Sequence, residues 1–126
     1  MNTMKHETVQ YFTDKEEQLT NLLIEIGLRK NVATVLVYLM NVPEATSRMI
    51  ERGVDLRQPE VSMAIKYMKG QGWIKSQAIP SEKKGRPNKQ YSLGKPVKEI
   101  MAALEKAKKN EVKDQLARIR KMRAYL

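Results

Sequence analysis

From Pro96 to the last residue the chain reads PVKEIMAALEKAKKNEVKDQLARIRKMRAYL, a stretch without Gly or Pro after its first position and dense in strong helix formers. Such a stretch predicts one long helix, or two end to end, and it consumes a quarter of the 126 residues. The remaining residues, about 95, suffice for one modest core and not for two ordinary domains. The expectation is one domain with helical appendages, divided as 1–28 (N-terminal segment and helix), 29–95 (the domain proper) and 96–126 (a long helix). Val97, Ile100, Met101, Leu104 and Ala107, then Val112, Leu116, Ile119, Met122 and Leu126, form the apolar stripe of that last helix. A change of phase near Lys108 to Glu111 predicts a bend near Asn110 or an end to its packed part.

Upstream, Thr13 with Glu16 three residues later has the form of a capping box, and Leu19, Leu22, Leu23 and Ile26 recur at helical spacing until Gly27. Asn31 is placed to cap a second helix carrying Val32, Val35, Leu36, Leu39 and Met40. Thr46 or Ser47 opens a short third helix with Met49 and Ile50, expected to stop at Gly53. Pro59 suits the first turn of a fourth helix, where a missing N–H costs nothing. That helix runs to about Gly70 with Val61, Ala64, Ile65 and Met68 on one face. Gly70 and Gly72 end it. WIKSQAI then reads as a strand and KQYSL as its partner, with Tyr91 and Leu93 inward, across a hairpin loop of about ten residues. The fold class that follows is mainly α with a small β-hairpin.

Charge separates the segments. The chain has 24 Lys and Arg against 14 Asp and Glu, a net charge of +10. Residues 1–28 are acidic on balance, and the basic excess begins at Arg29. It is sharpest in the hairpin loop, where Lys83, Lys84, Arg86 and Lys89 crowd around Gly85 and Pro87. A field of this sign on a foldable chain calls for a polyanionic partner. The absence of cysteine rules out disulfides and thiolate metal ligands and fits a reducing cytoplasm. The single histidine, His6, lies in a polar segment and reads as an ordinary exposed residue, so neither a metal site nor a cofactor is expected. No apolar run is long enough for a membrane span. An enzyme finds no support, because there is no Cys/His dyad, no phosphate-cradling glycine motif and no metal-ligand cluster, and no catalytic residue is assigned.

Two short helices joined by a tight turn and followed by a hairpin with a basic tip compose a winged helix-turn-helix. Over roughly Gly27 to Leu93 the sequence resembles the winged-helix regulators of the archaeal sugar-sensor (TrmB-like) and MarR/ArsR-like groups. The resemblance rests on IGLRKNVATVLVYLM, GVDLRQPEVSMAIKYMKGQGWI and KKGRPNKQYSL. In such families Q-P-x-V-S opens the recognition helix, and G-W-I with K-G-R-P frames the wing. The resemblance implies that Arg57, Gln58, Pro59, Ser62, Met63, Lys66 and Lys69 face DNA from the recognition helix. Met63 stands where relatives often carry Arg, and Glu60 where they often carry Ser or Thr. Base reading is therefore assigned to Gln58 and Ser62, with an apolar contact from Met63 to thymine methyls. In the wing, Pro87 biases Arg86 toward extended geometry and Gly85 permits the turn, so Arg86 is aimed at a minor groove with Lys83, Lys84 and Lys89 on the flanking phosphates. Trp73 reads as a packing residue at the base of the wing, and Tyr67 as either a core-edge or a backbone-contacting residue.

The long C-terminal stripe predicts a homodimer. Leu19, Leu22, Leu23 and Ile26 are expected to join Val97, Ile100, Met101, Leu104, Leu116 and Ile119 at the interface, setting two recognition helices on successive half-sites of a duplex. The functional expectation is a sequence-specific regulator of transcription bound to double-stranded DNA. The competing reading is a winged-helix module making RNA or protein contacts inside a transcription or replication assembly. No separate effector domain is expected within these 126 residues, and the sequence names no effector.

Overall fold

The structure is a computed structural model and describes residues 12–80 and 88–126. His6 and the wing-tip residues Lys83, Lys84, Gly85 and Arg86 lie outside the described residues. The chain divides into two compact units, one up to Lys95 and one from Pro96 to Leu126.

In the first unit four helices precede and surround a small sheet: α1 (Asp14–Glu25), α2 (Lys30–Asn41), β1 (Ala45–Thr46), α3 (Ser47–Val54), α4 (Gln58–Gly70), β2 (Ile74–Ile79) and β3 (Asn88–Leu93). Helix α1 starts on the expected capping box: Glu16 N–H donates to Thr13 Oγ1 at 3.3 Å, and Thr13 N–H donates to Glu16 Oε1 at 2.7 Å. It stops where Gly27 adopts φ 115°, a left-handed conformation open to glycine, so that Leu28 N–H reaches Leu23 O at 3.1 Å and Gly27 N–H reaches Ile24 O at 3.0 Å. Helix α4 ends by the same device at Gly72, with Trp73 N–H on Met68 O at 2.9 Å. This stop turns the chain directly into the wing and carries Trp73, buried, to its base.

The core is built on α2, whose Val32, Ala33, Val35, Leu36, Val37, Tyr38 and Leu39 are all buried. Around it pack Leu23 of α1, Ile50 and Val54 of α3, and Val61, Ala64, Ile65 and Met68 of α4. At about 25 cal/mol per Å2 of apolar surface, each fully buried large side chain here contributes on the order of 2 kcal/mol. Helix α1 buries Thr20 and Leu23, and the Thr20 hydroxyl donates to Glu16 O at 2.9 Å, which removes the cost of hiding it. Leu22 and Ile26 remain exposed at 58% and 41%.

Two local expectations need correction, and a third is extended. The second helix is not capped by Asn31: its N-cap is Arg29, and Asn31 is the second helical residue, sending Nδ2 across to Glu60 O of α4 at 2.9 Å. The third helix does not stop at Gly53. It runs on to Val54 and ends on Asp55, which takes up a left-handed φ of 57°, a conformation that Asp tolerates better than most residues. The hairpin forms as expected, but it does not stand alone. Ala45 and Thr46 add a third strand, giving the antiparallel order β1-β3-β2 with Ala45 opposite Tyr91 and Thr46 opposite Gln90. The β2–β3 register runs from Ile74 opposite Leu93 to Ile79 opposite Asn88.

The second unit is one helix, α5 (Val97–Arg123), uninterrupted over 27 residues. It does not divide near Asn110; what ends there is the burial along it. Glu99 lies in its first turn and Arg120, Lys121 and Arg123 in its last, the signs that the helix dipole favours. Along it Ile100 is buried, Val97, Met101 and Leu104 are half-buried, and every residue from Lys109 onward is exposed.

Candidate nucleic-acid interface

Helix α4 presents two different exposed faces, and the division follows from helical periodicity. With 100° between successive residues, Gln58, Ser62, Lys66 and Lys69 fall within an arc of about 80°, while Met63 and Tyr67 lie farther round. The structure places the first four residues in one open depression together with Ser47 of α3, Ile65, and Lys89 and Tyr91 of β3. Three lysines and no carboxylate line it. Residues of α3, α4 and β3 thus converge on one cationic hollow.

Its hydrogen bonds are specific. Gln58 Nε2 donates to Ser62 Oγ at 2.7 Å, so the two side chains assigned to base reading are already joined. Lys69 Nζ donates to Ser76 Oγ of β2 at 3.1 Å, tying the end of α4 to the wing. At the start of α4, Arg57 N–H donates to Glu60 Oε1 at 3.0 Å. Glu60, where a hydroxyl residue was the comparison, therefore both caps α4 through its carboxylate and receives Asn31 through its carbonyl. These bonds fix the entry of the helix with respect to α2. Pro59 occupies the first turn, as expected.

Met63 does not join this hollow. It is 56% exposed and lines a separate recess with Tyr67, Gly27, Leu28, Arg29, Asn31 and Val32. Tyr67 is half exposed and meets the buried Trp73 edge-on, with ring centroids 5.8 Å apart at 81°. Trp73 is accordingly occupied with packing. Lys66 and Lys89 stay exposed, as does Arg57.

Ser47 and Tyr91 were missed as lining residues. Thr46 accepts Met49 N–H at 3.2 Å and so takes the capping role that either hydroxyl residue could fill, which leaves Ser47 at the first helical position facing the hollow. Tyr91, expected to point inward, is only half-buried. The capping ambiguity was visible in the Thr-Ser pair; the third strand that turns it toward the wing was not.

The predicted interface residues distribute unevenly. Leu23 is buried in the first unit at 3% exposure, and Ile100 is fully buried, so neither presents its side chain. Leu22, Ile26, Leu116 and Ile119 are exposed.

This architecture, mainly helical with a three-stranded antiparallel sheet whose hairpin follows a helix-turn-helix, is the winged helix. Known structures share it. TrmBL2, an archaeal chromatin protein whose structure shows a novel mode of DNA binding, matches with a TM-score of 0.67 and 16% identity over 86% of this chain and 39% of its own. A crystal structure of a transcriptional regulator matches with a TM-score of 0.55 and 16% identity, over 80% of this chain and 65% of its own. NMB1585, a MarR family regulator from Neisseria meningitidis, matches with a TM-score of 0.50 and 22% identity, over 92% and 78% of the two chains. The present chain thus spans less than two thirds of the first two proteins. No family model and no curated protein sequence matches it. Among the described residues no helix is long and apolar enough to cross a membrane.

Proposed function

We propose that the protein is a sequence-specific regulator of transcription that binds double-stranded DNA as a homodimer, with α4 in the major groove and the basic wing in an adjacent minor groove. The observation that carries this reading is the hollow in which Gln58, Ser62, Lys66, Lys69 and Lys89 converge without a carboxylate. Lysines there supply the sequence-independent attraction to phosphates, and the Gln58–Ser62 pair supplies donors and acceptors for base edges. The named DNA-related roles of the fold's other bearers support the same reading. Two exposed apolar strips, Leu22 with Ile26 on α1 and Val112, Leu116, Ile119 with Met122 on α5, are surfaces that a second copy would cover.

The test is selection of bound sequences from a random duplex pool, followed by anisotropy titrations of the selected duplex, a scrambled duplex and a single strand over a salt series. Preference for the selected duplex supports the reading. Equal binding to single strands, or no nucleic-acid binding, replaces it with the RNA- or protein-contact module.

Within that assay, Gln58→Ala and Ser62→Ala are each expected to change base preference by about 1–3 kcal/mol at one position. Because the two side chains share a hydrogen bond, the double variant should cost little more than either single one. Additive losses would show that they act separately. Lys66→Ala should weaken all duplexes alike and reduce the salt slope by about one unit. Arg86→Ala should cost roughly 1–3 kcal/mol on the selected duplex if it reads a narrow minor groove, and an unchanged dissociation constant would remove the wing from the interface.

A further inference from the structure

The cations of α5 are not scattered. At 100° per residue, Lys98, Lys106, Lys109, Lys113 and Arg120 fall within an arc of about 80° on the helix. All five are exposed. They form a ridge about 33 Å long at 1.5 Å per residue, close to one turn of duplex DNA. Of the four carboxylates of α5, Glu105 lies beside the ridge and pairs with Lys109 at 3.1 Å, while Glu111 lies well away from it and pairs with Lys108 at 2.9 Å. Glu99 flanks the ridge edge near its N-terminal end, and Asp114 lies toward the far side of the helix. Ala102 falls inside the arc, so no bulky side chain fills the gap between Lys98 and Lys106, while Leu116 lies at the arc's edge, where the ridge meets the apolar stripe.

A helix built merely to stay in solution gains by alternating Glu and Lys four residues apart, and along this ridge only Glu105 and Lys109 do so. Lys109 and Lys113 instead place like charges one turn apart, an arrangement that lowers helix stability unless a polyanion neutralises it. The ridge gathers five of the nine cations of α5 along one flank of the apolar stripe, whereas on the other flank Arg118 and Lys121 stand among Glu111 and Asp114. A cationic rail on one flank, set against mixed charge on the other, fits a line of phosphates.

From this we infer that α5 is a second DNA-contacting element, whose ridge of Lys98, Lys106, Lys109, Lys113 and Arg120 follows the phosphate backbone of a duplex without reading its sequence. The inference rests on the DNA-binding reading of the winged helix and adds to it a sequence-independent component carried outside the hollow.

The experiment compares the full-length protein with Lys106→Gln/Lys109→Gln/Lys113→Gln and with Arg118→Gln/Lys121→Gln, which removes charge from the opposite side of the same helix. Glutamine is a good helix former, and circular dichroism checks that α5 is retained. Binding of selected and scrambled duplexes is followed over a salt series, and sedimentation of phosphatidylserine vesicles is measured in parallel. The ridge variant should lose affinity for both duplexes by the same factor, and its log K against log salt slope should become shallower by about 0.9 for each contact removed, some two to three units in all. The opposite-face variant should change the slope by less than one unit. An unchanged slope in the ridge variant overturns the inference, as does an equal change per charge removed in both variants, which would mark net charge alone. Loss of vesicle binding with duplex binding intact assigns the ridge to a lipid surface and also overturns it. If the unmodified protein binds no duplex, the reading of the winged helix fails first, and the inference with it.

Discussion

Leu116→Gln combined with Ile119→Gln is expected to convert a dimer into a monomer and to lower affinity for the selected duplex by a factor on the order of 100 to 10,000, the usual worth of a tethered second site. Both residues are about half exposed in the single chain, at 50% and 45%, so the substitutions disturb no packing within it. In an interface they place four amides per dimer where apolar groups meet, each costing about 1–3 kcal/mol if unpaired. Glutamine leaves the charge of the chain unchanged, so a loss of binding cannot be ascribed to weaker attraction to phosphates. Ile100 is buried, and this makes deletion from Glu99 onward a poor probe, because it strips a packed side chain as well as the exposed stripe. Sedimentation equilibrium at tens of micromolar decides the matter. A monomeric parent protein, or a variant that stays dimeric with unchanged affinity, shows that α5 is not the interface.

Gly53→Ala is the second large effect, and its sign is the point. Helix propensity alone predicts a gain of about 0.8–1.0 kcal/mol for replacing an interior helical Gly by Ala. At this position the added Cβ would overlap Cε1 of the Tyr38 ring, with two further ring carbons at 3.1 Å. That ring has nowhere to go: Tyr38 is 1% exposed, and its hydroxyl donates to Met49 O at 3.3 Å. Overpacking of this kind costs typically about 1–3 kcal/mol, so the variant should be less stable than the parent despite its better helix former. Urea denaturation of both proteins is the measurement. An increase in the midpoint at constant slope would show that the α2–α3 contact yields to a methyl group.

Much of this architecture could be read from residue order because short-range chemistry determines it. The Thr13–Glu16 box, the Gly27 and Gly72 stops and the four-residue apolar spacing of α2 and α4 each act within one or two helical turns. What could not be read depends on partners far along the chain. Asn31 has the right type for a cap, yet it sits second in the helix, its Nδ2 donating to Glu60 O, 29 residues away, and its Oδ1 accepting the N–H of its neighbour Val32. Gly53 looks like a stop signal, yet it is a clearance for Tyr38. Two residues, Ala45 and Thr46, cannot display an alternation, so β1 has no periodicity to detect. In the candidate interface, periodicity separated the buried face of α4 from its exposed one, and it was the position of Gly27–Val32 that drew Met63 away from Gln58 and Ser62.

The short strand β1 also has a kinetic side. Its ladder to β3 joins residues about 45 positions apart, so closing it costs more chain entropy than any pairing among the neighbouring helices or within the hairpin itself. Contacts of such separation form late in folding and open early. Thr46 belongs at once to that ladder and to the cap of α3, so the wing and the first helix of the helix-turn-helix should gain and lose order as one cooperative unit. Amide exchange at Thr46, Met49 and Gln90 would then share a single opening free energy, lower than that of the α2 core.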